Sequence, residues 1–336
     1  MTEEGRTGGK GTGPAAPERW PLITALAVAA AVAIGVYMFV EAGSGGAVGY
    51  TLLVVLPAAL SAFVAWVATV RRDWPRSSFL LVPVWIAGGA AMIGGLLFRE
   101  GVICILMILP LWVAFGMLGT WPVYLYRKGR GRADSSIFRA NALLLLPFPA
   151  LLIDGHVEPP RETYVVTRAI VVDAPAADAW RLLLAVPAIG ADEGRWTVSQ
   201  NLLRLPRPTD ATLAGHGVGA VRHARWQGGI RFQEIVTQWQ PDRALAWRFA
   251  FPDASIHLRT DRHIDPHGRQ LWIDAGGYRL TALKGGRTKI SLWTRYQAAT
   301  PVNAYAAIWG ELILGDIQDN ILAVVAGRLT GKQGGK

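Results

Sequence analysis

Four long apolar runs occupy the first half of the chain and constrain its fold more than any other feature. They span residues 22–40, 48–70, 79–98 and 102–126, and none has a charged residue in its middle. A hydrocarbon layer about 30 Å thick needs about 20 apolar residues in a helix, because lipid offers a bare backbone no hydrogen-bond partner. Each run therefore predicts a membrane-spanning helix.

A fifth apolar stretch, residues 137–153, is shorter and contains Arg139, Pro147 and Pro149. An arginine near the end of a span can extend to the interface, and prolines are tolerated in membrane helices. We therefore favour a fifth crossing, which makes residues 20–154 a domain of four to five membrane helices and places the rest of the chain outside the cytoplasm. The alternative is an interfacial or re-entrant hairpin, which leaves the rest of the chain inside.

Basic residues predict the orientation, because cytoplasmic loops are enriched in Lys and Arg. They precede the first run, lie between the second and third, and follow the fourth, whereas the alternate loops hold only Glu41 and the pair Arg99–Glu100. We expect an inner-membrane protein with a cytoplasmic N-terminus. Residues 1–19 are polar, Gly-rich and partly acidic, unlike a cleavable signal peptide, and are predicted to be a disordered cytoplasmic tail.

The composition excludes several classes of protein. The 14 Trp exclude a disordered chain, and the single cysteine excludes a disulfide scaffold. The net charge of +10 includes no Lys/Arg block long enough for a nucleic-acid-binding arm. Uncharged spans disfavour an ion-coupled transporter, so we expect the helices to be an anchor or scaffold in the lipid bilayer. The abundance of Arg, Ala and Gly favours a bacterial source.

Turn signals punctuate the second half at regular spacing. After a stiff linker at 158–160, residues 164–172 predict a strand and residues 176–184 a helix, while residues 207–219 resemble a loop. Short Gly- and Pro-containing turns then separate six strand-like runs, at 218–226, 230–239, 244–251, 255–264, 269–283 and 287–297. An apolar stripe at helical spacing predicts a long helix over residues 301–328.

Several short motifs follow one another along this half. They are Ile170–Pro175 with Ala179–Trp180, then Gly215–Arg222, then Glu234 with Trp239, Pro241 and Arg243–Leu245. In this order they resemble the START/Bet v 1-like (SRPBCC) superfamily, and within it bacterial polyketide cyclase/dehydrase-type proteins, over residues 163–328. The resemblance implies a helix-grip fold for residues 158–329, with a seven-stranded antiparallel sheet and a long C-terminal helix, followed by a flexible tail at 330–336. It also implies an apolar cavity for lipids, sterols, polyketides or similar ligands, but it fixes no reaction.

Glu234 is the best candidate for a catalytic residue, because it shares a strand face with Phe232 and Val236 and can point into such a cavity. Desolvation there raises the pKa of a carboxylate unless it is paired, and Arg222 on the neighbouring strand is a candidate partner. The pair fits a general base, a polar anchor for a ligand head group, or a buried structural ion pair. The predicted ligand-binding residues are Arg222, Trp226, Glu234, Trp247, Tyr278, Trp293, Tyr305 and Trp309.

No metal site or cofactor is predicted. Strand alternation puts His257 and His263 on one polar face, most simply a solvated one, and His267 falls in a turn. The Gly215–Gly219 run opens a strand rather than a helix, so it does not form a dinucleotide-binding loop.

Three functions fit these features. The first is a membrane-anchored binding or transfer module for a hydrophobic small molecule or lipid held between the sheet and the C-terminal helix. The second is a cyclase, dehydratase or hydrolase, which we do not favour because no nucleophile–base pair is recognisable. The third is a sensor or assembly factor that binds another membrane protein or a second copy of the chain.

Overall fold

The four apolar runs form helices that pack as a bundle. The computed structural model describes residues 20–44, 49–71, 74–130, 137–253, 255–256 and 265–331. The bundle consists of α1 Trp20–Ser44, a π-helical turn Thr51–Val55 continued by α2 Leu56–Arg71, α3 Arg76–Ile93 continued by a π-helical turn Gly94–Phe98, and α4 Val102–Arg130. Within the described residues, four helices are long and apolar enough to cross a membrane. The predicted tail at 1–19 and most of that at 330–336 lie outside these residues.

The fifth apolar stretch forms two short helices, α5 Ile137–Leu145 and α6 Pro147–Asp154. The break falls where Pro147 has no backbone N–H to continue the helix. At one end of the bundle, the Arg127 guanidinium near the end of α4 lies 4.6 Å from the ring centroid of Trp66 near the end of α2. α4 therefore ends beside the end of α2.

The carboxylate of Asp154 ends α6 at the opposite end of α2. It accepts hydrogen bonds of 2.8 Å from the backbone N–H groups of Tyr50 and Thr51, where the second span begins. Between these points α5 packs against α2, and α6 packs against α1 and the Thr51–Val55 turn. The α5–α6 segment thus packs along α2 and ends beside the start of the second apolar run.

The second half forms one antiparallel sheet of seven strands in the order β1-β7-β6-β5-β4-β3-β2. Their bounds are β1 Glu162–Val172, β2 Pro208–Ala214, β3 Val221–Trp226, β4 Ile230–Gln240, β5 Ala244–Ala250, β6 Leu271–Ala282 and β7 Thr288–Ala298. Gly228, Gly229, Gly285 and Gly286 have φ between 70° and 81°, as tight hairpin turns require.

The loop predicted at 207–219 is wrong, and the strand predicted at 255–264 is wrong at its first two residues. The predicted loop contains β2, the last strand of the sheet, which pairs with β3 and on its other side forms only an isolated bridge between Ala211 and Val186. A strand at the edge of a sheet tolerates a proline at its first position. The predicted strand at 255–264 begins with two helical residues, and residues 257–264 lie outside the described residues. Ser255 turns the chain there, because its N–H donates to Asp253 Oδ1 and its hydroxyl accepts from Arg231 N–H, each at 2.9 Å.

Two helices complete the second half: α7 Ala176–Leu184 and the long α8 Asn303–Leu329. α8 packs against β1, β7, α7 and a π-helical turn at Val198–Leu202. On the sheet side, the Gln318 amide donates to Val166 O at 3.1 Å and to Thr294 Oγ1 at 3.0 Å. A curved antiparallel sheet that holds a long C-terminal helix is the helix-grip architecture.

A clasp at the end of α8 joins Arg328 to Glu193. The guanidinium makes two hydrogen bonds to the carboxylate, at 2.7 and 2.9 Å, and two more to the carbonyls of Pro187 and Ala188. The hydrogen bond from Arg328 lowers the pKa of Glu193 below its usual value. The clasp fixes the segment that leads to the Val198–Leu202 turn.

We expect this clasp to weaken in acid. Because the pKa of Glu193 is lower in the folded state than in the unfolded state, its stabilisation is complete above the unfolded pKa and is lost as the pH falls through the folded pKa. Paired hydrogen bonds to a charged group contribute about 2 kcal/mol. Glu193→Gln should lower the free energy of unfolding by about that amount at pH 7 and by less at pH 3. Urea unfolding at the two pH values measures this, and an equal loss at both would contradict it.

Candidate functional site

A row of aromatic side chains crosses the inner face of the sheet. Neighbouring ring centroids lie 5.7 Å apart for Trp226 and Phe232, 5.9 Å for Phe232 and Phe249, 6.2 Å for Phe249 and Trp247, and 5.4 Å for Trp247 and Tyr278. We call these five residues the aromatic row. Strand alternation explains it, since every second residue of β3, β4, β5 and β6 faces the same side.

A buried ion pair lies beside the aromatic row. Arg222 on β3 stands directly opposite Glu234 on β4, and its Nη1 donates to Glu234 Oε2. Its Nε donates to Leu184 O at the end of α7, at 3.2 Å, and its Cζ lies 5.5 Å from the ring centroid of Trp247 and 5.8 Å from that of Tyr278. The side chains of Arg222 and Glu234 are only 5% and 9% exposed. The guanidinium is thus held by a carboxylate, a carbonyl and two ring faces.

Burial dominates the electrostatics of this pair. It raises the pKa of Glu234, while the positive charge of Arg222 opposes the rise, and it also raises the pKa of the Tyr278 hydroxyl. An arginine remains charged at all relevant pH values, so Glu234 is the group that neutralises it. A charged pair at the edge of an aromatic surface provides hydrogen-bond donors and acceptors for the polar end of a mainly apolar molecule.

α8 lies over β1 and β7 and presents an apolar side towards the inside of the sheet. Gln318 faces β1 and β7, whereas the Asp316 carboxylate accepts from Ser199 N–H in the Val198–Leu202 turn at 2.7 Å. At 100° per residue, Ile313 and Ile317 fall between these two sides. Both are only partly buried, whereas Leu322 and Val325 further along α8 are 2% and 0% exposed. Apolar side chains in the C-terminal half of α8 are therefore fully buried, whereas Ile313 and Ile317 in the preceding turns are partly exposed.

The structure brings five of the predicted ligand-binding residues together and separates three. Arg222, Trp226, Glu234, Trp247 and Tyr278 share the inner face. Trp293 lies on the outer face, paired with Gly277 on β6. Its indole lies so close to Gly277 that a Cβ at that position would be 3.0 Å from the indole nitrogen. Its neighbour Leu292 is the residue that faces inwards, opposite Tyr278.

Tyr305 and Trp309 lie on the first turns of α8, with their ring centroids 6.5 Å apart. The Tyr305 hydroxyl donates to the backbone carbonyl of Met107 in α4, at 2.7 Å. Tyr305 therefore contacts the helical bundle instead of the aromatic row.

Of the three histidines considered as metal ligands, the structure describes only His267. His267 stacks on Trp272, with centroids 4.3 Å apart, while His257 and His263 lie outside the described residues. Among the side chains that the structure describes, no three His, Cys, Asp or Glu residues are grouped as metal ligands.

Sequence reasoning missed Phe232 and Phe249 as members of the site. Both could have been found by the two-residue period of a strand, since Phe232 precedes Glu234 by two residues and Phe249 follows Trp247 by two. The contact between Arg222 and Leu184 O carries no such signal, because it joins a strand to the end of a helix 38 residues away.

No family model matches the sequence, and no curated protein matches it either. Among solved structures, a point mutant of norcoclaurine synthase from Thalictrum flavum in complex with a transition-state analogue is 14% identical, with a TM-score of 0.33, over 52% of this chain and 99% of that one. The Zhui aromatase/cyclase from Streptomyces sp. R1128 is 17% identical, with a TM-score of 0.30, over 50% of this chain and 94% of that one. The di-domain ARO/CYC BexL is 12% identical, with a TM-score of 0.32, over 65% of this chain and 62% of that one. The helix-grip assignment rests on strand order and the position of α8.

Proposed function

We propose that this protein is a membrane-anchored binding or transfer module for a hydrophobic small molecule or lipid, held between the sheet and α8. The aromatic row beside the buried Arg222–Glu234 pair carries the proposal. Aromatic walls with a few convergent polar groups are the usual composition of a site for a mainly apolar ligand. In this proposal the ligand's apolar part lies against the row and against Ile313 and Ile317, and its polar end meets the ion pair.

The contact between Tyr305 and Met107 supports the membrane part of the proposal. Met107 lies five residues after the start of α4, about 7.5 Å along that helix. A hydrogen bond to its carbonyl holds the first turn of α8, and with it the N-terminal half of that helix, against the bundle. A hydrophobic ligand that leaves the bilayer at this end has a short distance to travel in water.

The path of α5–α6 and the basic loops together support an orientation. The α5–α6 segment ends beside Tyr50, at the end of the bundle opposite Arg127. By the positive-inside rule the Arg127 end is cytoplasmic, so the sheet and α8 lie outside the cytoplasm in this proposal.

The test is a search for a co-purified ligand in the full chain. We expect solvent extraction and mass spectrometry to recover a hydrophobic molecule from the wild type. Ile317→Trp, which fills the space under α8, should lose at least about nine-tenths of it, because an added ring displaces a ligand of similar volume. Ile308→Trp is the matched control, since Ile308 lies on the same helix but is 66% exposed. Equal recovery from both variants would contradict the proposed location.

A further inference from the structure

An apolar stripe runs along the first three turns of α8, on the side away from the sheet. The sheet side is marked by Gly310, where an added Cβ would collide with the Tyr296 hydroxyl of β7, and by Gln318, whose amide donates to β1 and β7. At 100° per residue, Gly310 and Gln318 lie about 140° on either side of Tyr305. Four apolar residues of these turns lie within about 60° of the direction of Tyr305, and we call them the outer stripe: Tyr305, Ile308, Trp309 and Leu312.

The outer stripe is exposed and lies in an uncharged part of the helix. Ile308 is 66% exposed, and the other three residues of the stripe are partly exposed. The first eight residues of α8, Asn303–Gly310, include no charged residue, and the first charge, Glu311, is paired with Arg168 of β1 at 2.5 Å. A helix side that faces water usually carries charged residues. An apolar outer side rich in aromatic residues is typical of a helix that lies in a membrane interface.

The contact with α4 sets the level of the outer stripe relative to the bundle. The Tyr305 hydroxyl donates to Met107 O at 2.7 Å, and Met107 lies about 7.5 Å along α4 from its start at Val102. Because Met107 lies inside α4, the hydroxyl reaches this carbonyl from the flank of that helix. The charged pair Arg99–Glu100 lies in the loop just before α4 and marks the end of the apolar spans. In a bilayer around the bundle, the Tyr305 ring therefore lies where aromatic residues are enriched, between head groups and acyl chains.

We infer that the outer stripe is a lipid-contact surface, which holds the first three turns of α8 in the bilayer interface beside α4. Ile308 and Leu312 then contact acyl chains, while the polar ends of Tyr305 and Trp309 remain at the level of the head groups. Lipid is the occupant because the stripe begins on the flank of a membrane-spanning helix, where acyl chains surround the bundle. The inference rests on the proposed placement of the bundle in a membrane, and it is independent of any ligand between the sheet and α8.

Spin labels measure this contact in the full-length protein. Cys104, the only cysteine, is replaced by serine, and a nitroxide is attached at Ile308→Cys or, as a matched control, at Val171→Cys. Val171 is also apolar and is 48% exposed, but it lies on β1, nine residues and about 30 Å from the start of that strand beside α8. The protein is placed in nanodiscs of phosphatidylcholine and phosphatidylglycerol. Collisions of each label with oxygen, which concentrates in acyl chains, and with a neutral nickel chelate, which stays in water, are then compared.

We expect the ratio of oxygen to nickel collisions to be at least about fivefold higher at position 308 than at position 171, because an interfacial helix buries its apolar side in the acyl boundary. Equal ratios at the two positions would overturn the inference. Resistance of the same protein to alkaline carbonate would in that case still support the anchoring proposal. A second copy of the chain on the stripe would also overturn it, and it would shield the label at 308 from both collision partners and broaden its spectrum by dipolar coupling.

Discussion

Glu234→Ala is expected to destabilise the second half of the chain by about 3–5 kcal/mol. The substitution leaves the Arg222 guanidinium charged and 5% exposed, with the Leu184 carbonyl, the Tyr278 hydroxyl and two aromatic faces as partners but no negative charge beside it. Arginine cannot relieve this by losing its proton, so the desolvation penalty is not recovered. Urea unfolding of the full chain, followed by the fluorescence of Trp247 and its neighbours, measures the loss.

Two controls separate the buried pair from ordinary loss of a charge. Glu311→Ala removes an ion pair with Arg168 in which the Glu311 side chain is 54% exposed, and it should cost less than about 1 kcal/mol. The double variant Arg222→Met with Glu234→Leu removes both charges and should be close to the wild type in stability, because apolar replacement of a buried pair is often neutral. A loss for Glu234→Ala no larger than for Glu311→Ala would show that Arg222 is not held as the distances indicate.

The second prediction concerns the side of the membrane on which the sheet and α8 lie. Its readout is all-or-none. A C-terminal alkaline phosphatase fusion, which is active only outside the cytoplasm, should be active, because in the proposed topology five crossings follow a cytoplasmic N-terminus. A fusion directly after residue 130 should be inactive, since it follows four. The paired measurement with a green fluorescent protein, which folds inside, should give the opposite pattern. Phosphatase activity only in the shorter fusion would contradict the orientation.

The four apolar helices were predictable because the thickness of the bilayer requires about 20 consecutive apolar residues, and such a run is visible in the sequence itself. The path of the fifth stretch was not, since it depends on Asp154, whose carboxylate meets N–H groups more than 100 residues earlier in the chain. A hydropathy profile contains no information about a contact between residues so far apart in the chain. It left the crossing and the hairpin as alternatives, and the contacts of α5 and α6 support the crossing that we propose.

In the sheet, the hairpin turns were predicted from the sequence, whereas the edge strand β2 was not. Hairpins at Gln227–Gly229 and Lys284–Gly286 follow from glycine at positive φ. β2 was missed because an edge strand pairs on one side only and needs neither a long apolar run nor freedom from proline. Within the site, the strand period predicted that Glu234 faces inwards and made Arg222 on the neighbouring strand its candidate partner, and the register of β3 with β4 sets them opposite each other. The strand period did not distinguish Trp293 from Leu292, since both are apolar and the parity of β7 depends on its register with β6.

The central claim is that a hydrophobic molecule lies between the sheet and α8. Its most direct test is photocrosslinking of the full-length protein in bilayers that contain a lipid with a diazirine in its acyl chain, with the crosslinked residues mapped by mass spectrometry. The account predicts adducts on Phe249, Ile313 and Ile317 that disappear in Ile317→Trp and persist in Ile308→Trp. Adducts confined to residues 20–154 in the wild type would contradict it.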